Sequence, residues 1–103
     1  MLVYHIVLKE DLERQLGAPS FVAGSLETEG FIHCSFQDQI DAVLRRYFNG
    51  YAKVMVLTIE TDHLTSRLIE EPSTGGEIYP HIYGPIDRAA IVSVEERRLI
   101  ASR

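Results

Sequence analysis

Along this chain, apolar and polar positions alternate with a period of two in some stretches and recur at helical spacing in others. Leu2 to Leu8 carries β-branched and aromatic residues on both faces and predicts an opening strand, with His5 among apolar neighbours. Lys53 to Glu60 (KVMVLTIE) is a nearly unbroken apolar run, which predicts a strand in a central position. Arg67 to Glu71 reads as a short strand. Ile91 to Arg97 sets Ile91, Ser93 and Glu95 against Val92, Val94 and Glu96, and fits a closing strand.

Helical spacing appears at Lys9 to Leu16, where Leu12 and Leu16 lie one turn apart and Gly17 is the stop. It is strongest from about Phe36 to Phe48, where Ile40, Val43, Leu44, Tyr47 and Phe48 form one apolar face that Asn49-Gly50 ends. Ser35 is placed to cap this helix, with Asp38 three residues on as in a capping box. Ala18 to Glu29, punctuated by Pro19, Gly24 and Ser25, reads as a long loop and a pocket wall. Thr61 to Leu64 reads as a turn or one helical turn, Asp87 to Ala90 as a single helical turn, and Pro72 to Glu77 (PSTGGE) as a flexible loop. Strands interrupted by two helices, without regular βαβ alternation, predict a mixed α+β fold in one domain spanning 1–103.

Composition narrows the function classes. A hydrophobic share of 46% and a charged share of 24% suit an ordered globular chain. No apolar run reaches the roughly 18 residues that span a bilayer, and the start lacks a secretion signal's basic region and apolar core. With one cysteine there is no internal disulfide, so a cytoplasmic location is expected. The net charge of −5, with no basic stripe, argues against a polynucleotide partner and leaves room for a small anionic ligand held by local donors.

The candidate chemistry gathers in two histidine segments, Gly30-Phe31-Ile32-His33-Cys34-Ser35-Phe36 and Pro80-His81-Ile82-Tyr83-Gly84-Pro85. On a strand, Phe31, His33 and Ser35 share one face and Ile32, Cys34 and Phe36 the other, while Tyr79, His81 and Tyr83 form a polar-tipped aromatic row suited to a planar ligand. The two segments are expected to meet and line one cleft, with Tyr83 and the Ser73–Gly76 loop at its edge. Other chemistries fit less well. His33 and Cys34 point to opposite faces, and the spacings of a structural zinc site are missing, so no metal is expected. The helix cap accounts for Ser35 without a hydrolase elbow, and Ser73-Thr74-Gly75-Gly76 has no lysine after it as a phosphate loop would. His5 and His63 are expected to be a packed strand residue and a turn residue, and Cys34 a small core residue.

Gly30-Phe31-Ile32-His33-x-Ser35, followed at long range by Glu77-x-x-Pro80-His81-x-Tyr83-Gly84, resembles the bacterial family of domains of unknown function numbered 952. The likeness extends to Val3-Tyr4, Gly24-Ser25, Tyr47-Phe48 and Glu71-Pro72-Ser73. It implies a fold similar to the ADP-ribosyltransferase superfamily, with small split antiparallel sheets and a cleft that takes NAD as substrate. Within that superfamily the histidine pair looks more like the branch that removes a 2′-phosphate from RNA. The resemblance implies His33 and His81 as catalytic residues, with Glu77 and Glu71 as candidate carboxylates. It also implies Ser35, Tyr83, Tyr4, Gly24, Ser25 and Glu71 as ligand-binding residues. No resident cofactor is implied. The expected function is therefore binding of, or action on, NAD or an ADP-ribose-like nucleotide. The alternative is a non-catalytic module for small metabolites or for protein interaction.

Overall fold

The computed structural model describes residues 1–99, and the last four residues of the expected 1–103 domain lie outside them. It is a small α+β structure of antiparallel sheets and short helices. Strands β1 (Leu2–Val7), β4 (Lys53–Glu60) and β8 (Ile91–Arg98) form one sheet in the order β1-β4-β8. The second sheet is β3 (Ile32–His33), β6 (Ile78–Tyr83) and β5 (Arg67–Pro72), in the order β3-β6-β5. A third, two-residue pairing joins β2 (Ser20–Phe21) to β7 (Ile86–Asp87).

Strand β4 is central, as its composition predicts, because both of its faces are covered. Val54 and Val56 pack with Ile6, Ile40 and Leu44 on one side. Leu57 and Ile59 join Val3, Phe21, Ile32, Ile82 and Ile86 on the other, in the core where the three sheets meet. The first two sheets are stitched together at an isolated bridge. Tyr4 N–H donates to the Ser35 carbonyl at 2.8 Å, and Ser35 N–H to the Tyr4 carbonyl at 2.7 Å.

Three short α-helices are present among the described residues, rather than two. The first, α1, spans Lys9–Glu13 and ends before Leu16, which is 68% exposed and has no packing to extend the helix. The second, α2, spans Gly24–Glu29, inside the expected loop. It buries no residue fully, so it has no apolar stripe to read; Gly30, at φ 91°, closes it by donating its N–H to the Ser25 and Leu26 carbonyls. The third, α3, spans Ile40–Tyr47 and packs through Ile40 and Leu44 as the spacing predicts.

The entry to α3 corrects the expected Ser35 cap. Ser35 is committed to the bridge with Tyr4, and a 3₁₀ turn at Gln37–Gln39 precedes the helix. Gln39 does the capping instead, accepting the Phe36 N–H at 2.9 Å. Its buried amide also donates to the Ile78 carbonyl at 2.7 Å and to Glu77 at 2.9 Å, tying the helix entry to β6. Removing such a side chain loses several bonds of about 1 kcal/mol each, so Gln39→Ala is expected to cost about 2 kcal/mol in urea unfolding. Ser35→Ala should fall below the capping range; a cost at or above that of Gln39→Ala would return the cap to Ser35. No helix among the described residues is long and apolar enough to cross a membrane.

Candidate functional site

The short strand β3 sets the site. Its register on β6 places His33 directly opposite His81, with Ile32 opposite Ile82 behind them in the core. Cys34 N–H bonds the Pro80 carbonyl at 3.1 Å, so the histidines occupy the intervening pair without mutual backbone bonds, where side chains approach most closely. Their rings lie 5.4 Å apart, nearly edge to face. At such a pair the backbone carbonyl points away from the partner strand, and that of His33 accepts from His5 Nδ1 at 2.7 Å.

Carboxylates fix both rings. Glu29, at the end of α2, accepts from His33 Nε2 with both oxygens at 3.1 Å. Glu71 on β5 accepts from His81 Nδ1 at 2.7 Å and from the Tyr83 hydroxyl at 2.6 Å. Tyr83 first, and then His81, hold the Glu71 carboxyl below its usual range, and Glu71 in turn pushes the Tyr83 hydroxyl up. With one ring nitrogen donating, a neutral imidazole presents the other as an acceptor. Those acceptors are Nδ1 of His33 and Nε2 of His81. Phe31 stacks on His81 at 4.0 Å and meets the edge of His33 at 4.9 Å, so an apolar ring holds the pair in place.

The pair opens on a cleft of about 760 Å³, within the range of small-ligand sites. Ser25, Ser35 and the Pro72–Gly75 loop also line it. The other expected site residues lie elsewhere. Tyr83 and Glu71 stand behind His81 rather than on the wall. Tyr4 packs with the α3 cluster and is absent from the cleft wall, joining the site through its backbone bridge to Ser35. Gly24 lines an adjoining cleft of about 420 Å³. Glu77 is occupied by Gln39 and, at 3.4 Å, by the Tyr79 hydroxyl, and is absent from the cleft wall.

Several residues on the wall were not singled out from sequence. His5 is packed in its strand as expected, yet it lines both clefts, and burial pushes its pKa down to about 4. Phe31 and Glu29 orient the histidines. Among the described residues Arg46 is the one lysine or arginine on the main cleft, beside Tyr47 and Tyr79. Burial pushes the Cys34 thiol well above its ordinary value, which leaves it inert. Among the described residues no three histidine, cysteine or acidic side chains are grouped to hold a metal ion.

A family model described as "Protein of unknown function (DUF952)" matches residues 6–94. Among solved structures, the chain is similar to protein CC0527 from Caulobacter crescentus. The crystal structure is 26% identical at a TM-score of 0.87, covering 98% of this chain and 90% of that one. The solution structure of CC0527 is 27% identical at 0.82, covering 97% and 87%. No curated protein matches the chain.

Proposed function

The chain belongs to the DUF952 family of proteins of unknown function, and we propose that its cleft binds a ribose-bearing nucleotide of the ADP-ribose type, with NAD as a candidate substrate. One observation carries the reading. His33 and His81 face each other as a pair, each with its N–H already given to a carboxylate, so both present acceptors. A vicinal diol supplies two adjacent hydroxyl donors, which is the chemistry of a ribose edge. Two small antiparallel sheets beside such a cleft are consistent with an ADP-ribosyltransferase-like fold.

Binding is favoured over catalysis by the state of the carboxylates. Cleaving the nicotinamide–ribose bond builds positive charge on the ribose and calls for an uncommitted carboxylate nearby. Glu77 is held by Gln39, Glu71 by His81 and Tyr83, and Glu29 by His33.

Calorimetry with NAD and ADP-ribose tests the reading, alongside thermal melts. Ligand at a hundred times its Kd should stabilise the fold by about 2.7 kcal/mol. His33→Ala, at an exposed position, should weaken binding about tenfold while the melting temperature without ligand holds. Unchanged affinity in both His33→Ala and His81→Ala would overturn the proposal, and release of nicotinamide from NAD would replace binding with catalysis.

A further inference from the structure

Resting on the nucleotide reading above, we propose that Arg46 makes the cleft selective for phosphate-bearing ribosides over neutral ones. The chain has 15 acidic against 10 basic residues, so its overall field repels anions. The cleft departs from that balance. Its charged lining residues are Arg46 and Glu29, and Glu29 is already committed to His33. Other arginines are used within the fold: Arg14 pairs with Asp11, Arg97 with Asp41, and Arg88 donates to the Gln15 and Ala18 carbonyls. Among the described residues Arg46 has no carboxylate within ion-pairing distance.

What Arg46 does have is support. Its guanidinium lies 5.9 Å from the Tyr47 ring centre, a contact that orients the group without neutralising it. It also neighbours the Tyr79 hydroxyl, on the same strand face as His81. Tyr79 and His81 are two residues apart, or roughly 7 Å along a strand. That is about the reach from a ribose diol on the histidines to a phosphate on the same sugar. A guanidinium meets phosphate oxygens as a two-pronged donor, and the Ser73 and Thr74 hydroxyls on the cleft wall add neutral donors.

The test compares adenosine, AMP and ADP-ribose on the wild-type chain, Arg46→Gln and Arg46→Lys by calorimetry. The wild type should bind AMP and ADP-ribose at least tenfold more tightly than adenosine, and the preference should shrink as salt rises. Arg46→Gln should bring AMP to within about twofold of adenosine and leave adenosine unchanged, while Arg46→Lys recovers part of the gap. If Arg46→Gln binds AMP and ADP-ribose as the wild type does, the role assigned to Arg46 is wrong and the nucleotide reading stands. If the wild type binds none of the three, the nucleotide reading fails and this inference falls with it.

Discussion

Gly84→Ala is expected to destabilise the fold by about 3 kcal/mol or more. Gly84 follows β6 directly, at φ 154°, a conformation that residues with a side chain rarely adopt. A Cβ placed there would lie 2.4 Å from Ser66 Oγ and 2.9 Å from Ser66 Cβ. Ser66 has little freedom to yield, because its hydroxyl donates to the Pro85 carbonyl at 2.6 Å. Backbone strain of about 1–3 kcal/mol and overpacking of similar size then add. A whole domain of this kind has only about 5–15 kcal/mol to lose. Urea unfolding of a double-mutant cycle separates the two costs: Ser66→Gly in the Gly84→Ala background should recover the steric part and leave the backbone part. A loss below about 0.5 kcal/mol for Gly84→Ala alone would show that the turn relaxes freely. The glycine of the second histidine segment is thus explained by a close approach in the turn.

The elements that were legible in sequence are those whose side chains face a core. Val54 to Ile59 reads as a central strand because both faces are buried, and Ile40 with Leu44 reads as a helix because one face is. Helix α2 gave no such signal, since Leu26 alone packs against the core and only partly. The Ser35 cap failed for a different reason. Ser35 has the right residue type three positions before Asp38, but its backbone pairs with Tyr4, a partner far away in sequence. Local capping rules lose to a long-range bridge of that kind, and Gln39 supplies the acceptor from inside the turn.

At the candidate site, the meeting of His33 and His81 was readable from their shared surroundings of aromatic residues and glycine, although their direct register was not. Glu71 was named as a candidate carboxylate, yet its position diagonal to His81 depends on the β5–β6 pairing. Glu29 was missed because it belongs to the helix that gave no signal. Phe31 was placed on the histidine face by strand alternation, and its stacking on His81 follows from that placement. Arg46 sits two residues past Leu44, roughly 200° round the helix from it, so periodicity marks it as outward-facing without showing the cleft beside it.

His5 carries the other large expected effect, a loss of stability as pH falls below neutrality. Burial first, and the neighbouring His33 to a lesser degree, drive its pKa from the ordinary 6.5 to about 4, against the favourable bond to the His33 carbonyl. In the unfolded chain His5 takes up a proton near its ordinary value, whereas in the folded chain it stays neutral down to about pH 4. The unfolded state therefore binds more protons across that window, and folding stability falls as pH drops through it. The contribution is intact above about pH 6.5 and is lost towards pH 4, by about 3 kcal/mol in total at about 1.4 kcal/mol per unit. Glu71 and Glu60, whose carboxyls are held below their usual range, add losses that begin only at the acidic end. His5→Asn isolates the histidine, since the amide can still donate to the His33 carbonyl without titrating. Urea unfolding between pH 7.5 and 4.5 should show the wild type losing markedly more stability than His5→Asn, and parallel curves would refute the assignment.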